Sequence, residues 1–262
     1  MIYDVHGDPL GTASGNVLYG KKYVACGDSF TAGDATGYTD AAGNTGTNSD
    51  FYDQKLKAWK TYPWWIAKRN DMTLVNEAVS GSVFTNITGR LSPFSVERYK
   101  AVPKDADYIT LMFGLNECEP DTAQGFDPTA IVGTKTDTTN ATVWGAYNIV
   151  FEYLMKNIPY AKLGVILADG WMSAAYRTTV KEICAYWGVP VLDLNDEQHP
   201  LLLTAHSAGR ADASPTAKQL RNDAFQLALY NGHPGLRAHE YRSTIIAVSY
   251  THLRAHETPE HL

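Results

Sequence analysis

Short apolar runs alternate with segments of helical spacing along most of the chain. The runs have the length and the Val, Leu and Ile content of buried parallel strands, and they are Lys22–Cys26, Thr73–Asn76, Tyr108–Phe113, Leu163–Ala168 and Pro190–Leu194. Between them, apolar residues recur every three to four positions in Tyr62–Asn70, Trp144–Asn157 and Ser173–Trp187. This alternation predicts βαβ units and a parallel sheet covered on both faces. With right-handed crossovers, it gives a single three-layer α/β/α domain with a flavodoxin-like five-stranded sheet.

Two polar stretches interrupt this pattern. Gly33–Tyr52 and Glu119–Ala141 are rich in Gly, Thr and Asp, a composition typical of loops. Each follows the C-terminal end of a predicted strand, the edge at which open α/β sheets bind ligands. We therefore expect either the walls of a site or surface decoration. The segment Pro200–Tyr230 fits no single element.

Composition and charge narrow the possible partners. The chain has 262 residues, 44% of them hydrophobic and 19% charged, as in a globular domain with a sizeable core. A net charge of -6 and the lack of a basic stripe predict no nucleic-acid partner. No apolar run approaches the roughly 18 residues of a membrane helix, and the start shows no signal-peptide pattern. We expect a soluble protein, cytoplasmic or phage-associated, with no membrane partner.

The cysteines and histidines indicate no metal or cofactor. The three cysteines are far apart and odd in number, so we expect buried small side chains and no disulfide framework. His206, His233 and His239 lack a partner at metal-ligand spacing. We predict neither a metal nor a cofactor.

A serine directly after the first strand is the first candidate for chemistry. Ser29 lies in the stretch Cys26–Phe30, where Gly27 permits a tight turn. A serine there can present its Oγ to the crevice and its own N–H to a developing oxyanion. A strand followed by Gly-Asp-Ser is common, however, and often serves the turn alone.

Three further residues occupy comparable places. Gly81 follows the second predicted strand, Asn116 follows the third, and His233 lies in a late Asn-Gly-His-Pro stretch. A glycine lets a backbone N–H approach a substrate, and an asparagine supplies a fixed neutral donor, as an oxyanion hole requires. Taken singly, Gly81 and Asn116 are more typical of turns, and a lone histidine is more often structural than catalytic.

Together, these residues resemble the four blocks that define the SGNH (GDSL-like) hydrolases, and the resemblance spans Lys22 to Ile246. The blocks are Gly27-Asp28-Ser29-Phe30, Gly81 in Ala-Val-Ser-Gly-Ser, Gly-Leu-Asn-Glu with Asn116, and Asn-Gly-His-Pro with His233. The resemblance implies catalysis by Ser29 as nucleophile and His233 as base. It further implies an oxyanion hole formed by Ser29 N–H, Gly81 N–H and the Asn116 side chain.

The last block departs from the family pattern Asp-x-x-His. Tyr230 stands where the acid is expected, and a tyrosine carries no negative charge near neutral pH. A triad acid fixes the histidine tautomer and stabilises the imidazolium. A backbone carbonyl, Asp223, Asp193 or Asp196 could take that role for His233. The Ser–His pair is therefore better supported than any triad.

A competing nucleophile is Ser207 in Ala205–Gly209, which resembles the small-x-Ser-x-Gly elbow of α/β-hydrolases. That elbow must lead at once into a helix and be followed by Asp and His in order. Pro215 comes soon after, and too little chain remains to complete such a sheet. The motif is therefore the weaker candidate.

The resemblance implies a serine esterase acting on short-chain acyl esters, with acetylated polysaccharide as a candidate substrate. The alternative is a carbohydrate-binding or phage structural module on a degenerate SGNH scaffold, and the missing acid favours it. An esterase needs Ser29 Oγ within hydrogen-bond reach of His233, whereas a binding module does not. The oligomeric state and the ester specificity stay open at this level.

The C-terminal segment Ser249–Leu262 resembles translated adapter sequence, so we expect the natural sequence to have been cut off near Val248, inside or after its last helix. This predicts three parts: a lead segment of residues 1–21, the hydrolase domain of residues 22–248, and a non-native tail of residues 249–262. The tail and the opening stretch also suggest a metagenomic origin in gut bacteria or their prophages.

Overall fold

A five-stranded parallel sheet forms the centre of the protein. The structure is a computed structural model that describes residues 16–33, 52–53, 58–118, 131–169, 172–195, 224 and 233–252. The described residues form seven strands in all: β1 (Lys22–Gly27), β2 (Tyr52–Asp53), β3 (Ala58–Trp59), β4 (Thr73–Asn76), β5 (Tyr108–Met112), β6 (Lys162–Leu167) and β7 (Val191–Asp193). The sheet order is β4-β1-β5-β6-β7, and β2 and β3 form a separate antiparallel pair. The predicted flavodoxin-like sheet is confirmed.

The strands in the middle of the sheet are buried on both faces. In β1 every residue from Tyr23 to Gly27 is buried, although successive side chains point to opposite faces. β5 and β6 are buried along most of their length as well. The edge strand β4 has no fully buried residue. Layers must therefore cover both faces of the sheet, as the continuous apolar runs predict.

Helices form these layers, and capping residues mark where several of them begin and end. They are α1 (Ser29–Ala32), α2 (Tyr62–Arg69), α3 (Leu115–Cys118), α4 (Val143–Asn157), α5 (Ala174–Trp187) and α6 (Leu236–His252). Thr142 caps α4 by accepting from Gly145 N, and Ser173 caps α5 by accepting from Tyr176 N. Gly188 ends α5 in the left-handed conformation. α2 packs against α6, and α4 packs against α5.

The parallel register brings the chemistry to one edge of the sheet. Gly27 at the end of β1 is paired with Met112 of β5, and Ala25 is paired with Asn76 of β4. The segments after β1, β4 and β5 therefore leave the sheet side by side. Ser29, Gly81 and Asn116 lie on these segments.

Several sequence predictions fall outside the described residues or extend across their limits. Most of Gly33–Tyr52, half of Glu119–Ala141 and nearly all of Pro200–Tyr230 lie outside the described residues. Helix α6 continues past Val248 to His252. None of the described helices is long and apolar enough to cross a membrane.

Candidate active site

Ser29 lies at the first turn after β1, held there by its two neighbours on the N-terminal side. Asp28 caps α1, because its Oδ1 accepts a hydrogen bond of 3.0 Å from Phe30 N. Gly27 is required by space: a Cβ there would lie 2.1 Å from Thr31 Oγ1 and 2.8 Å from Met112 O. Ser29 itself is 7% exposed. The Gly-Asp-Ser sequence therefore fixes a serine with limited access at the carboxyl edge of the sheet.

His233 meets this serine from the other end of the chain. Its Nε2 is 2.7 Å from Ser29 Oγ, a hydrogen-bond distance between residues 204 positions apart in sequence. The Phe30 ring lies against the imidazole, with ring centroids 5.3 Å apart. The structure thus brings together the two residues that the sequence predicts as nucleophile and base.

Gly81 and Asn116 lie on the segments that follow β4 and β5, the two strands paired with β1. Gly81 has φ +74°, the left-handed region that favours glycine, although a Cβ would meet only Leu91 Cδ1 at 3.5 Å. Asn116 is the second residue of the short helix α3, and its Nδ2 donates to Ser82 O at 2.8 Å. The side chain of Asn116 is therefore anchored to the residue that follows Gly81. An amide nitrogen carries two hydrogens, so one remains for a ligand.

Two buried carboxyl groups lie under the site. Asp28 caps α1, and the fully buried Glu117 accepts hydrogen bonds from the backbone N–H groups of Phe84 and Thr85. Burial raises the pKa of Asp28 from 3.8 to about 8 and the pKa of Glu117 from 4.5 to about 7. The negative charge of Glu117 adds to this effect and raises the pKa of Asp28 further. Both acids accept hydrogen bonds from backbone N–H groups around Ser29 and Gly81. Because their pKa values are raised, both carboxyl groups stay protonated to a higher pH than exposed acids do.

The raised pKa of Glu117 predicts a pH dependence of stability. Between its unfolded pKa of 4.5 and its folded pKa of about 7, the folded protein holds a proton that the unfolded chain has released. The free energy of unfolding therefore falls as pH rises through this window, by at most about 1.4 kcal/mol per pH unit. Glu117→Gln keeps an acceptor oxygen and should make this fall shallower.

Urea unfolding between pH 5 and 8 would measure the effect. Glu152→Gln is the matched control, since Glu152 is an exposed glutamate on α4. Asp28 titrates in the same direction, so part of the slope should persist in Glu117→Gln. Identical slopes in the wild type and Glu117→Gln would show that Glu117 keeps an ordinary pKa after folding.

Of the three aspartates considered for the third triad position, Asp193 is the one that lies within the described residues. Asp193 has both oxygens engaged: Arg177 Nη1 is 2.5 Å from Oδ1, and Lys181 Nζ is 2.7 Å from Oδ2. This ion-pair cluster ties β7 to α5 and makes Asp193 a structural residue. Asp196, Asp223 and Tyr230 lie outside the described residues, and so does the competing serine, Ser207.

Sequence reasoning missed a buried ion pair near the site. Asp169 follows β6, and its Oδ2 is 2.5 Å from Arg242 Nη2 on α6. The Arg242 guanidinium lies 5.6 Å from the Phe30 ring centroid. On the same helix, His239 is buried and accepts from Tyr62 N, and burial lowers its pKa well below 6.5. A polar residue after the fourth predicted strand was the available signal for Asp169.

A serine and a histidine in contact at the carboxyl edge of a flavodoxin-like sheet define a serine hydrolase arrangement. The sequence matches the family model of the GDSL-like lipases and acylhydrolases over residues 25–241. The chain therefore belongs to the GDSL-like lipase/acylhydrolase family, which makes it a carboxylic ester hydrolase. Ser29, Gly81, Asn116 and His233 all lie within the matched range. No curated protein matches the sequence.

Solved structures share the fold at low sequence identity. A protein from Lactobacillus plantarum has a TM-score of 0.58 and 19% identity, covering 92% of this chain and 100% of its own. A protein of Bacteroides ovatus assigned to the GDSL-like lipases has a TM-score of 0.54 and 15% identity, covering 89% and 99%. A family two carbohydrate esterase from Clostridium thermocellum, solved with cellohexaose, has a TM-score of 0.54 and 14% identity, covering 90% and 65%. These similarities establish the fold.

Proposed function

We propose that this protein hydrolyses short-chain acyl esters through an acyl-serine intermediate on Ser29. The observation that carries the proposal is the 2.7 Å distance between Ser29 Oγ and His233 Nε2. A non-catalytic binding module would not need this contact. Membership of an acylhydrolase family supports the same conclusion.

The proposed reaction has two halves. Ser29 Oγ attacks the ester carbonyl carbon while His233 Nε2 takes the hydroxyl proton. The tetrahedral oxyanion collapses, the carbon–oxygen bond to the alcohol breaks, and His233 returns the proton to the departing alkoxide. Water then attacks the acyl-serine, with His233 again as base, and releases the carboxylic acid and free Ser29.

The oxyanion would be held by three donors from three segments: the N–H groups of Ser29 and Gly81 and the Nδ2–H of Asn116. Such donors act on charge that develops only in the transition state, so they raise kcat more than they lower KM. Anchoring of Asn116 to Ser82 O supports this role, because a pre-positioned donor needs no reorganisation during the reaction.

Asn116→Ala should therefore lower kcat by about 10²- to 10³-fold with little change in KM. Steady-state hydrolysis of p-nitrophenyl acetate would measure both constants. Asn157→Ala is the matched control, because Asn157 Nδ2 likewise donates to a backbone carbonyl, that of Tyr153, at the end of α4. Equal kcat values for the two variants would remove Asn116 from the oxyanion hole.

The proposed substrate class is an acetyl ester on a polysaccharide. Similarity in fold to a family two carbohydrate esterase solved with cellohexaose supports this class. The experiment compares acetate release from acetylated xylan with hydrolysis of p-nitrophenyl acetate, butyrate and octanoate. Preference for the polysaccharide and a fall in kcat/KM with acyl length would support the proposal. Preference for octanoate would indicate a lipase instead.

A fluorophosphonate tests the nucleophile directly. Ser29 Oγ should displace fluoride and form a stable phosphonyl-serine, which peptide mass spectrometry locates. Label on Ser29 supports the acyl-serine route. Label on Ser207, or no label on a folded protein, would refute it.

A further inference from the structure

Ser82 contacts the segments that carry all three proposed oxyanion donors. Its hydroxyl donates to Gly27 O at 3.2 Å, two residues before Ser29. Its carbonyl accepts from Asn116 Nδ2 at 2.8 Å. It directly follows Gly81, and its side chain is fully buried. One residue therefore joins the end of β1 to the segments after β4 and β5.

These segments need such a connection because they leave the sheet separately. Hydrogen bonds from Glu77 N to Ala25 O and from Val79 N to Gly27 O continue the pairing of β4 with β1 as far as Val79. The chain then turns through Gly81 in the left-handed conformation. The Ser82 hydroxyl returns to the Gly27 carbonyl already used by Val79 N. This contact closes the turn that carries the Gly81 N–H.

The position of an oxyanion donor must be held to within roughly 0.5 Å. β4 is an edge strand without a fully buried residue, and Val79 in the following turn is 40% exposed, so packing alone restrains this part of the turn weakly. The backbone carbonyl of Ser82 orients Asn116, and its hydroxyl orients the backbone on which Gly81 lies. Loss of the hydroxyl would let both donors shift relative to Ser29.

We propose that Ser82 is a positioning residue of the oxyanion hole, which aligns the Gly81 N–H and the Asn116 amide with Ser29. The proposal rests on the proposed esterase function. It assigns to Ser82 no contact with the substrate. Its effect should therefore pass through Asn116 and Gly81 and should appear in kcat.

Ser82→Ala should lower kcat for p-nitrophenyl acetate by roughly 3- to 10-fold, the effect of one lost buried hydrogen bond, with KM nearly unchanged. The rate is expressed per active site, counted by fluorophosphonate labelling of Ser29, so a smaller folded fraction does not enter. Ser95→Ala is the matched control: Ser95 is a buried serine in the same region, and the structure gives its hydroxyl no hydrogen-bond partner. Its kcat per site should stay at the wild-type value.

A double-mutant cycle with Asn116→Ala separates positioning from a merely structural role. In the Asn116→Ala background, Ser82→Ala should lower kcat by less than about twofold. The Asn116 amide that Ser82 orients is then missing, so that part of the effect of Ser82 on kcat cannot be lost a second time. The full single-mutant factor in both backgrounds would overturn the proposal. A wild-type kcat per site in Ser82→Ala would overturn it as well.

If Ser82→Ala does not fold, Ser82→Cys places a somewhat larger group and a weaker donor at the same position, and its kcat per site should lie below the wild type. An unchanged kcat in Ser82→Cys would then overturn the proposal. If the wild type is folded but Ser29 takes no label, the proposed esterase function fails first, and the role of Ser82 fails with it.

Discussion

Replacing Ser29 with alanine is expected to lower kcat for p-nitrophenyl acetate by about 10⁴-fold or more. The variant lacks the only oxygen that the proposed mechanism acylates, and loss of the nucleophile in serine hydrolases has effects of this size. Ser29 is small and 7% exposed, so the fold should tolerate alanine. Steady-state kinetics with circular dichroism of both proteins would measure the change.

His233→Ala should lower kcat by a similar factor, because an unactivated serine is a weak nucleophile. The double variant should be no slower than either single variant, since the two residues act as one unit. Ser207→Ala is the control that the sequence itself supplies, and it should keep wild-type activity. Activity that survives in Ser29→Ala and disappears in Ser207→Ala would transfer the nucleophile to the competing motif.

The strands were predictable because burial on both faces leaves a plain signal. β1, β5 and β6 are continuous apolar runs in the sequence, and the structure gives them with ends shifted by a residue at most. Helix α6 left no comparable signal. Its buried positions include His239, Arg242 and Ser243 alongside Ala238 and Ile246, so its inner face does not stand out as apolar.

The site was predictable only as a set of separate blocks. Sequence order places Ser29 after β1 and Asn116 after β5, and parallel pairing brings these ends together. Contact of His233 with Ser29 across 204 residues needs the whole fold, and no local pattern expresses it. The contacts of Ser82 are likewise tertiary, because a serine after a glycine indicates a turn in most sequences.

The buried ion pair of Asp169 and Arg242 could not be predicted from the sequence either, because charged residues are expected at the surface. Both side chains are 4% exposed, and the pair joins the end of β6 to α6. The Arg242 guanidinium also lies 5.6 Å from the ring centroid of Phe30, the residue that follows Ser29. The pair therefore connects the last described helix to the edge of the sheet that carries Ser29.

Breaking this pair should destabilise the protein strongly. Arg242→Met leaves Asp169 buried without its cation, and we expect the free energy of unfolding in urea to fall by about 3–5 kcal/mol. Asp169→Asn should act in the same direction by leaving the Arg242 charge uncompensated. Glu240→Gln is the control on the same helix, because Glu240 pairs with Arg69 at 2.7 Å while both are well exposed. Its loss should cost about 1 kcal/mol or less.

Replacing both partners should give a different result from replacing one. Within the described structure, Asp169 Oδ1 and the Nε and Nη1 atoms of Arg242 are buried without hydrogen-bond partners. The pair is therefore incompletely satisfied, and its attraction repays only part of the desolvation of two charges. Asp169→Leu combined with Arg242→Met should recover most of the stability that Arg242→Met loses. The comparison is with Asp169→Leu alone and Arg242→Met alone. If the double variant loses as much free energy of unfolding as the sum of these two losses, the side chains act independently, and the ion pair does not account for the loss.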